Sequence, residues 1–373
     1  MPAAISIDFI SAKEALTSAE VLGKWRQAIC ETTNPRAALQ TPEWVEYRSE
    51  FGGNVRVGVV RYLGRQIVGT IPLLEANYPL KLSSHRLAPF ELSMRGAMLM
   101  GNAPLTPPIG EIYSGLFKAL AEKTNITTIC IPGALNGTEF ASFLSDFEQR
   151  DDPSWFVYWL EPSNKYYCIN MPPTFDDYYR KFDANMRRNF RRESKRLREL
   201  SVGELDLLRV ERELQVAPFL RDATMIAETS WQKMLVGCPM NMPAPRFEVL
   251  TRLARQGMLR CYLLRCGDIP CAYAVAFQCN EVFYYYEIAF NPKFSKASPG
   301  KVLLYMVLND LFAHNRPKLF YFGPGAFEYK RWFSNSEGEE RTAYILRKSI
   351  SNRTKVWLHR NFRSLVGRLK PST

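Results

Sequence analysis

One order of elements occurs twice in this 373-residue chain, and the repetition limits what the chain can fold into. RVGVVRYL, from Arg56, is rich in β-branched residues; Gly64-Arg65 makes a turn and QIVGTIPLLE reads as the partner strand. From Leu259 the pattern returns as LRCYLLR, the turn Cys266-Gly267-Asp268, and IPCAYAVAFQ. Extended or Pro-rich sequence follows each hairpin, and then a Gly that precedes a helix. The first helix is EIYSGLFKALAEK from Glu111, with Ile112, Leu116, Ala119 and Leu120 at helical spacing; the second is KVLLYMVLNDLFAH from Lys301. A strand ending in Pro-Gly comes next in each copy, TTICIPG (127–133) and LFYFGPG (319–325). A short helix and a closing strand complete both, WFVYWLEP (155–162) and TAYILRKS (342–349). A hairpin, a crossover helix and further strands predict an α/β unit, a mixed sheet with helices packed on it, present twice.

The copies differ where strand passes to helix. PLTPPIGEIY in the first has three prolines and no basic residue; KFSKASPGKVLL in the second has three lysines in a short span. If one copy carries chemistry, the second is the better candidate. A helix start offers unpaired N–H groups and a positive dipole end, so Ser298, Gly300 and Lys301 form a candidate anion site. Ser-Pro is also an ordinary way to begin a helix, because Ser caps and Pro suits the first position.

Charge is local. The net is +12, from 49 Lys+Arg against 37 Asp+Glu. Residues 180–200 hold nine basic and three acidic side chains, and residues 351–370 six basic and none acidic, so two segments of +6 account for the excess. NMRRNFRRESKRL (185–197) reads as a helix with Phe182, Met186, Phe190, Leu197 and Leu200 as a narrow apolar stripe. Arg187, Arg191 and Lys195 form one basic row; Arg188, Arg192 and Arg196 form another. Such rows can meet nucleic acid, water, an anionic substrate or donor, or a membrane, and no nucleic-acid module accompanies them. In the tail, Leu358, Phe362, Leu365, Val366 and Leu369 share a face flanked by Lys355, Arg360, Arg363, Arg368 and Lys370, with Trp357 alongside. This reads either as a helix docked on the body or as an interfacial helix.

With 46% apolar residues the chain can bury sizeable cores. The N-terminus MPAAISIDFISAKEALTS has no secretory pattern, and no apolar run is long enough to span a membrane. The eight cysteines are expected to be reduced thiols of a cytoplasmic protein. Four of them (Cys261, Cys266, Cys271 and Cys279) fall on strand-like segments without a C-x-x-C, which predicts packing rather than zinc; His85, His314 and His359 are too dispersed for a metal site, and no metal is expected.

FDANMRRNFRRESKRL, GDIPCAYAVAF, FYYYEIAF, SPGKVLLY and FGPGAFEYK, in this order across residues 180–345, resemble the GNAT acyltransferase superfamily. More narrowly they resemble its CelD-like or BioF2-like acetyltransferase branch. The duplicated unit and the Arg-rich segment opening the second half are similar to the tandem GNAT-like halves of Fem-type peptidoglycan aminoacyltransferases. The resemblance implies tandem GNAT-like domains, each a mixed, mostly antiparallel sheet flanked by helices. The expected division is 1–165, a divergent copy; 166–350, the acyltransferase; and a basic amphipathic tail, 351–373.

It also implies acyl transfer from a thioester, acyl-CoA with acetyl-CoA foremost, to an amine or hydroxyl of a cell-envelope, polysaccharide or lipid-linked acceptor. Against the family's pyrophosphate pattern R/Q-x-x-G-x-G/A, Ser295 stands at the first position, Ser298 at the first Gly and Gly300 at the second, so one of three key positions fits. Glu287 stands where these proteins often place a base, and Tyr329 where many carry the acid that protonates the leaving thiolate. Lys301 and Lys330 are expected at donor phosphates, with Arg331 either sharing that role or solvated. Arg187, Arg188, Arg191 and Tyr285 are expected at the substrate. The alternatives are a Fem-like transferase using aminoacyl-tRNA, the one route to nucleic acid, and a non-catalytic GNAT-like binding protein. The expected location is the cytoplasm, with peripheral contact at the inner membrane face.

Overall fold

The computed structural model describes residues 5–84, 87–200, 204–229 and 243–368. Cys238, Leu369 and Lys370 lie outside these residues, as His85 does, and the side chains of Leu365, Val366 and Arg368 are outside the description as well. The chain forms two units: residues 1–32, 39–165 and 338–373, and residues 33–38 with 166–337.

In the first unit the strands follow the order Ile5–Ser11, Asn54–Tyr62, Gln66–Asn77, Arg95–Leu99, Thr128–Leu135, Ser336–Arg347, Trp155–Trp159. All neighbours are antiparallel except Arg95–Leu99 and Thr128–Leu135, which are parallel. A parallel pair needs a crossover, and the helix Gly110–Lys123 supplies it. Ile112, Leu116, Phe117 and Leu120 bury its inner face against Ile71, Leu73, Ile129 and Ile131. Arg347 closes the far end of this helix, donating to the carbonyls of Leu120 at 3.2 Å and Thr124 at 3.1 Å, where the last helical carbonyls lack partners.

One expectation is corrected here. TAYILRKS does not close the second copy: residues 343–347 pair with Trp155–Trp159 on one side, and the same strand pairs with Thr128–Leu135 on the other, within the first unit. The final helix, Ile350–Arg368, docks on this unit through Asn352, Val356 and His359 rather than through the expected Leu358 and Phe362 face. The His359 imidazole and the Tyr158 hydroxyl lie 2.6 Å apart, and burial holds the histidine's pKa below its usual value.

In the second unit the order is Leu205–Val210, Cys261–Cys266, Ile269–Cys279, Val282–Phe290, Leu319–Pro324, Asn164–Asn170. Again one pair is parallel, Val282–Phe290 with Leu319–Pro324, and again a helix, Pro299–Ala313, makes the crossover. Both faces of Ile269–Cys279 are covered. Ala272, Ala274 and Ala276 join the aromatic core under helix Pro299–Ala313, and Tyr273 meets Phe219 of helix Glu213–Thr229 at 6.2 Å on the other face. The small alanines let the helix approach. Its Leu303, Leu304, Leu308 and Leu311 are each at most 1% exposed; such leucines contribute about 1.5–3 kcal/mol apiece. Cys266 and Cys271 are joined by a disulfide across the hairpin, with Cα atoms 6.2 Å apart, which corrects the expectation of thiols throughout. The two parallel pairs with their crossover helices are the duplicated motif: the fold is mixed α/β with tandem GNAT-like units.

Candidate functional site

The site forms where two parallel strands part. Val282–Phe290 and Leu319–Pro324 pair from Val282↔Leu319 to Tyr284↔Tyr321 and no further. On the other side of Val282–Phe290, Val275 opposes Glu287 and Ala276 opposes Tyr285, so Tyr286 is an extra residue. A bulge re-aims the side chains around it. Tyr285 therefore faces the core under helix Pro299–Ala313, and Glu287 the opposite face.

Beyond the bulge, Ile288, Ala289 and Phe290 form one wall of a cavity of about 350 Å³. Ser295 and Ser298–Lys301 form another, and Leu303, Phe327 and Tyr329 complete it. Four of the predicted site residues, Ser298, Gly300, Lys301 and Tyr329, are thus brought together around one largely apolar space.

Each wall has a local cause. Ser298 adopts φ 50°, ψ 53°, the left-handed region, which costs a non-glycine residue about 1–2 kcal/mol. This turn lets helix Pro299–Ala313 start directly against the strand end. The Ser298 N–H is taken by the Ser295 carbonyl at 3.1 Å, and its own carbonyl accepts from Lys301 and Val302. Pro299 has no N–H to leave unpaired. Among the described residues, the Gly300 N–H has no backbone or side-chain acceptor. A Cβ at Gly300 would meet nothing nearer than Phe290, at 3.6 Å. The helix start therefore presents one open amide, reinforced by the helix dipole.

Tyr329 is half-buried. It stacks on Phe327 at 6.1 Å and meets the Phe322 edge at 6.4 Å. Burial raises its phenol pKa above the usual value, so it keeps its proton at neutral pH. Tyr285, 3% exposed, lies behind it. Its hydroxyl is buried with no hydrogen-bond partner, and burial, with a smaller contribution from Tyr329, raises its pKa too.

The cations are arranged differently from the expectation. Lys301 donates to Glu193 Oε1 at 3.0 Å and lies 5.0 Å from the centre of the Trp332 ring, so its charge is already matched. Lys330 is 6% exposed; its Nζ donates to the carbonyls of Gly323 at 3.3 Å and Pro324 at 2.6 Å, which ties down the Phe-Gly-Pro-Gly turn. It is not among the cavity residues, and neither is the exposed Arg331. Glu287 is also elsewhere: it is ion-paired with Arg246 of helix Pro243–Arg255 and accepts from the Tyr273 hydroxyl at 2.8 Å.

The basic helix spans Ala184–Glu199, begun by the Asp183 side chain accepting from the Met186 N–H at 2.6 Å. Its inner stripe is Met186, Phe190, Glu193 and Leu197, with Phe190 stacked on Tyr305 at 5.4 Å. Leu200, expected on that stripe, is 51% exposed. Arg188 and Arg191 are exposed, and Arg187 is half-buried over Tyr179, 5.9 Å from the ring centre. None of the three lines the cavity. Sequence reasoning missed Glu193. Its signal was position: a carboxylate four residues before Leu197 and three after Phe190, on the apolar stripe. Among the described residues no cluster of three or more metal-ligating side chains occurs.

Residues 184–331 match the family described as the acetyltransferase (GNAT) domain, and that domain is carried by the second unit. No curated protein matches the chain. Among solved structures, FemX is similar at TM-score 0.59 and 12% identity, covering 95% of this chain and 100% of its own. The C-terminal domain of an Agrobacterium fabrum protein named as a lysylphosphatidylglycerol synthetase is similar at TM-score 0.53 and 9% identity, covering 91% and 95%. A conserved protein of unknown function from Bacteroides thetaiotaomicron is similar at TM-score 0.50 and 12% identity, covering 87% and 97%. Residues 184–331 are thus a GNAT-type domain. The fold of the chain is the tandem GNAT-like one, related to that of FemX.

Proposed function

We propose that the second unit transfers an acyl group from acyl-CoA, acetyl-CoA foremost, to an amine or hydroxyl of an envelope, polysaccharide or lipid-linked acceptor. The observation that carries this is the cavity joining the open Gly300 amide to the Tyr329 hydroxyl at the point where the strands part. The space suits a narrow, mostly apolar arm ending in an anion: Ile288, Phe290, Leu303 and Phe327 supply apolar contact, and the helix start receives the anion. The donor supplies a thioester, whose C–S bond breaks as the nucleophile's lone pair forms the new C–N or C–O bond. The nucleophile loses its proton to water, and the sulfur leaves as thiolate. The protonated Tyr329 donates a hydrogen bond to that sulfur, and Tyr285, which does not line the cavity, is buried in the core behind it. Glu287 is already committed to Arg246 and Tyr273, so we assign it to holding helix Pro243–Arg255 rather than to the base.

A second reading, transfer from aminoacyl-tRNA, draws on the fold likeness to FemX and on the exposed Arg188, Arg191 and Arg192. Isothermal titration separates the readings. Saturable binding of CoA that is lost in Gly300→Asp supports the first; RNase-sensitive binding of charged tRNA without CoA binding supports the second. Binding of neither leaves a non-catalytic GNAT-like protein. On either enzymatic reading the place of work is the cytoplasm, at the inner face of the membrane when the acceptor is lipid-linked.

A further inference from the structure

The final helix is docked by one narrow face, and what it shows outward is not ordinary surface. Asn352, Val356 and His359, at spacings of four and three, are each at most 6% exposed. Opposite them stand Ile350, 87% exposed, and Trp357, 62% exposed, with Leu358 at 40%. Single exposed apolar side chains are common on proteins. Here they are grouped, seven residues apart on one stripe, and Arg353 and Arg360 flank that stripe at its side. Arg360 is braced over the Tyr158 ring at 5.0 Å and remains exposed.

A second element extends the patch. Phe90, 62% exposed on strand Leu87–Leu92, lines a depression of about 450 Å³ together with Ser351 and Lys355 of the helix and with Arg95. Glu91 also borders it and is ion-paired with Lys81 at 3.7 Å. Residues 349–373 contain no carboxylate side chain. Nothing acidic on the helix itself can therefore neutralise its cations.

We infer that this face of the first unit, built on Ile350, Trp357 and Phe90 with Arg353, Arg360 and Arg95, seats the protein on an anionic lipid bilayer. The charge commits the occupant. A protein partner with an apolar groove would explain Ile350 and Trp357 but not the excess of cations beside them, which no carboxylate of the helix itself offsets. Nucleic acid would explain the arginines but has no use for an exposed isoleucine. An anionic bilayer uses both: Trp and Ile enter the interfacial layer while the arginines meet lipid phosphates. The surface lies on the unit that lacks the donor cavity, so the inference stands apart from the transfer reading.

The test is co-sedimentation of the full chain with vesicles of phosphatidylglycerol and phosphatidylcholine in equal parts, against vesicles of phosphatidylcholine alone. We expect binding to the anionic vesicles about tenfold tighter than to the neutral ones, weakened by salt. Ile350→Ser/Trp357→Ser should reduce it about tenfold, and Arg353→Ala/Arg360→Ala should remove the anionic preference. All four side chains are exposed, and unchanged melting curves would show the variants folded. Absence of binding to anionic vesicles at low salt overturns the inference. So does binding that both double variants retain, or binding to tRNA that depends on the arginines but not on Trp357 and outcompetes the vesicles.

Discussion

The two strand-to-helix junctions are built from the same elements and end up doing opposite things with the space before the helix. In the first unit the strand Arg95–Leu99 stops after its parallel pairing, and the connecting loop folds back. The Thr70 N–H donates to the Leu105 carbonyl at 3.0 Å, and Gly69 lets the loop lie so close that a Cβ there would stand 2.5 Å from that carbonyl. In the second unit the strand runs on through Phe290, and the loop before the helix stands clear of it. One junction is filled by its own backbone; the other keeps a cavity with an open amide. A longer strand and a left-handed Ser298 thus accompany the change from a filled joint to one that keeps a cavity.

The largest expected effect bears on the open junction. Tyr329→Phe should lower turnover about 100-fold while leaving CoA affinity unchanged; titration and initial rates together check it, and an equal loss of affinity would make the tyrosine a packing residue. Next comes the closed junction. Gly69→Ala forces a methyl against the Leu105 carbonyl and Thr106, and should cost about 1–3 kcal/mol in denaturant unfolding with no change in CoA binding. Glu287→Gln leaves Arg246, largely buried, without its counter-charge and should cost about 2 kcal/mol of stability. Turnover per folded molecule should fall less than about tenfold; a fall as large as that of Tyr329→Phe would restore Glu287 as the base. Gly300→Asp sets a carboxylate at the free amide and should weaken CoA about tenfold, whereas Gly110→Asp, its counterpart, should leave CoA binding untouched. The smallest effect is Ser298→Gly: it relieves the left-handed strain and should raise stability by about 0.5–1 kcal/mol with CoA affinity kept.

Local pattern made much of this legible. Both hairpins, both crossover helices and the loop at Ser298–Lys301 are short-range features, readable from turn residues, strand alternation and helical spacing. The GNAT resemblance in residues 180–345 rests on the same kind of signal, and the matched domain spans residues 184–331. What escaped was set by distant partners. Lys301 looked like a free phosphate ligand because Glu193, 108 residues earlier, is the group that claims it. Lys330 looked like a donor contact, yet its own turn carbonyls hold it. Glu287 met Arg246 across 41 residues, and the bulge at Tyr286 turned it from the cavity face. A bulge leaves no mark in residue types, and plain strand alternation puts Tyr285 and Glu287, two residues apart, on the same face, so it could not show that they would point opposite ways. TAYILRKS read correctly as a strand, but nothing local tells a strand which sheet will receive it.

That last strand has a practical meaning for anyone dissecting the molecule. Ser336–Arg347 supplies the rung between Thr128–Leu135 and Trp155–Trp159. A polypeptide cut after residue 165 would be missing a central rib and would display two raw strand edges, the usual starting point for clumping. The sheet of the first unit can be completed only after residues 336–347 have left the ribosome, by which time the whole second unit has already been synthesised.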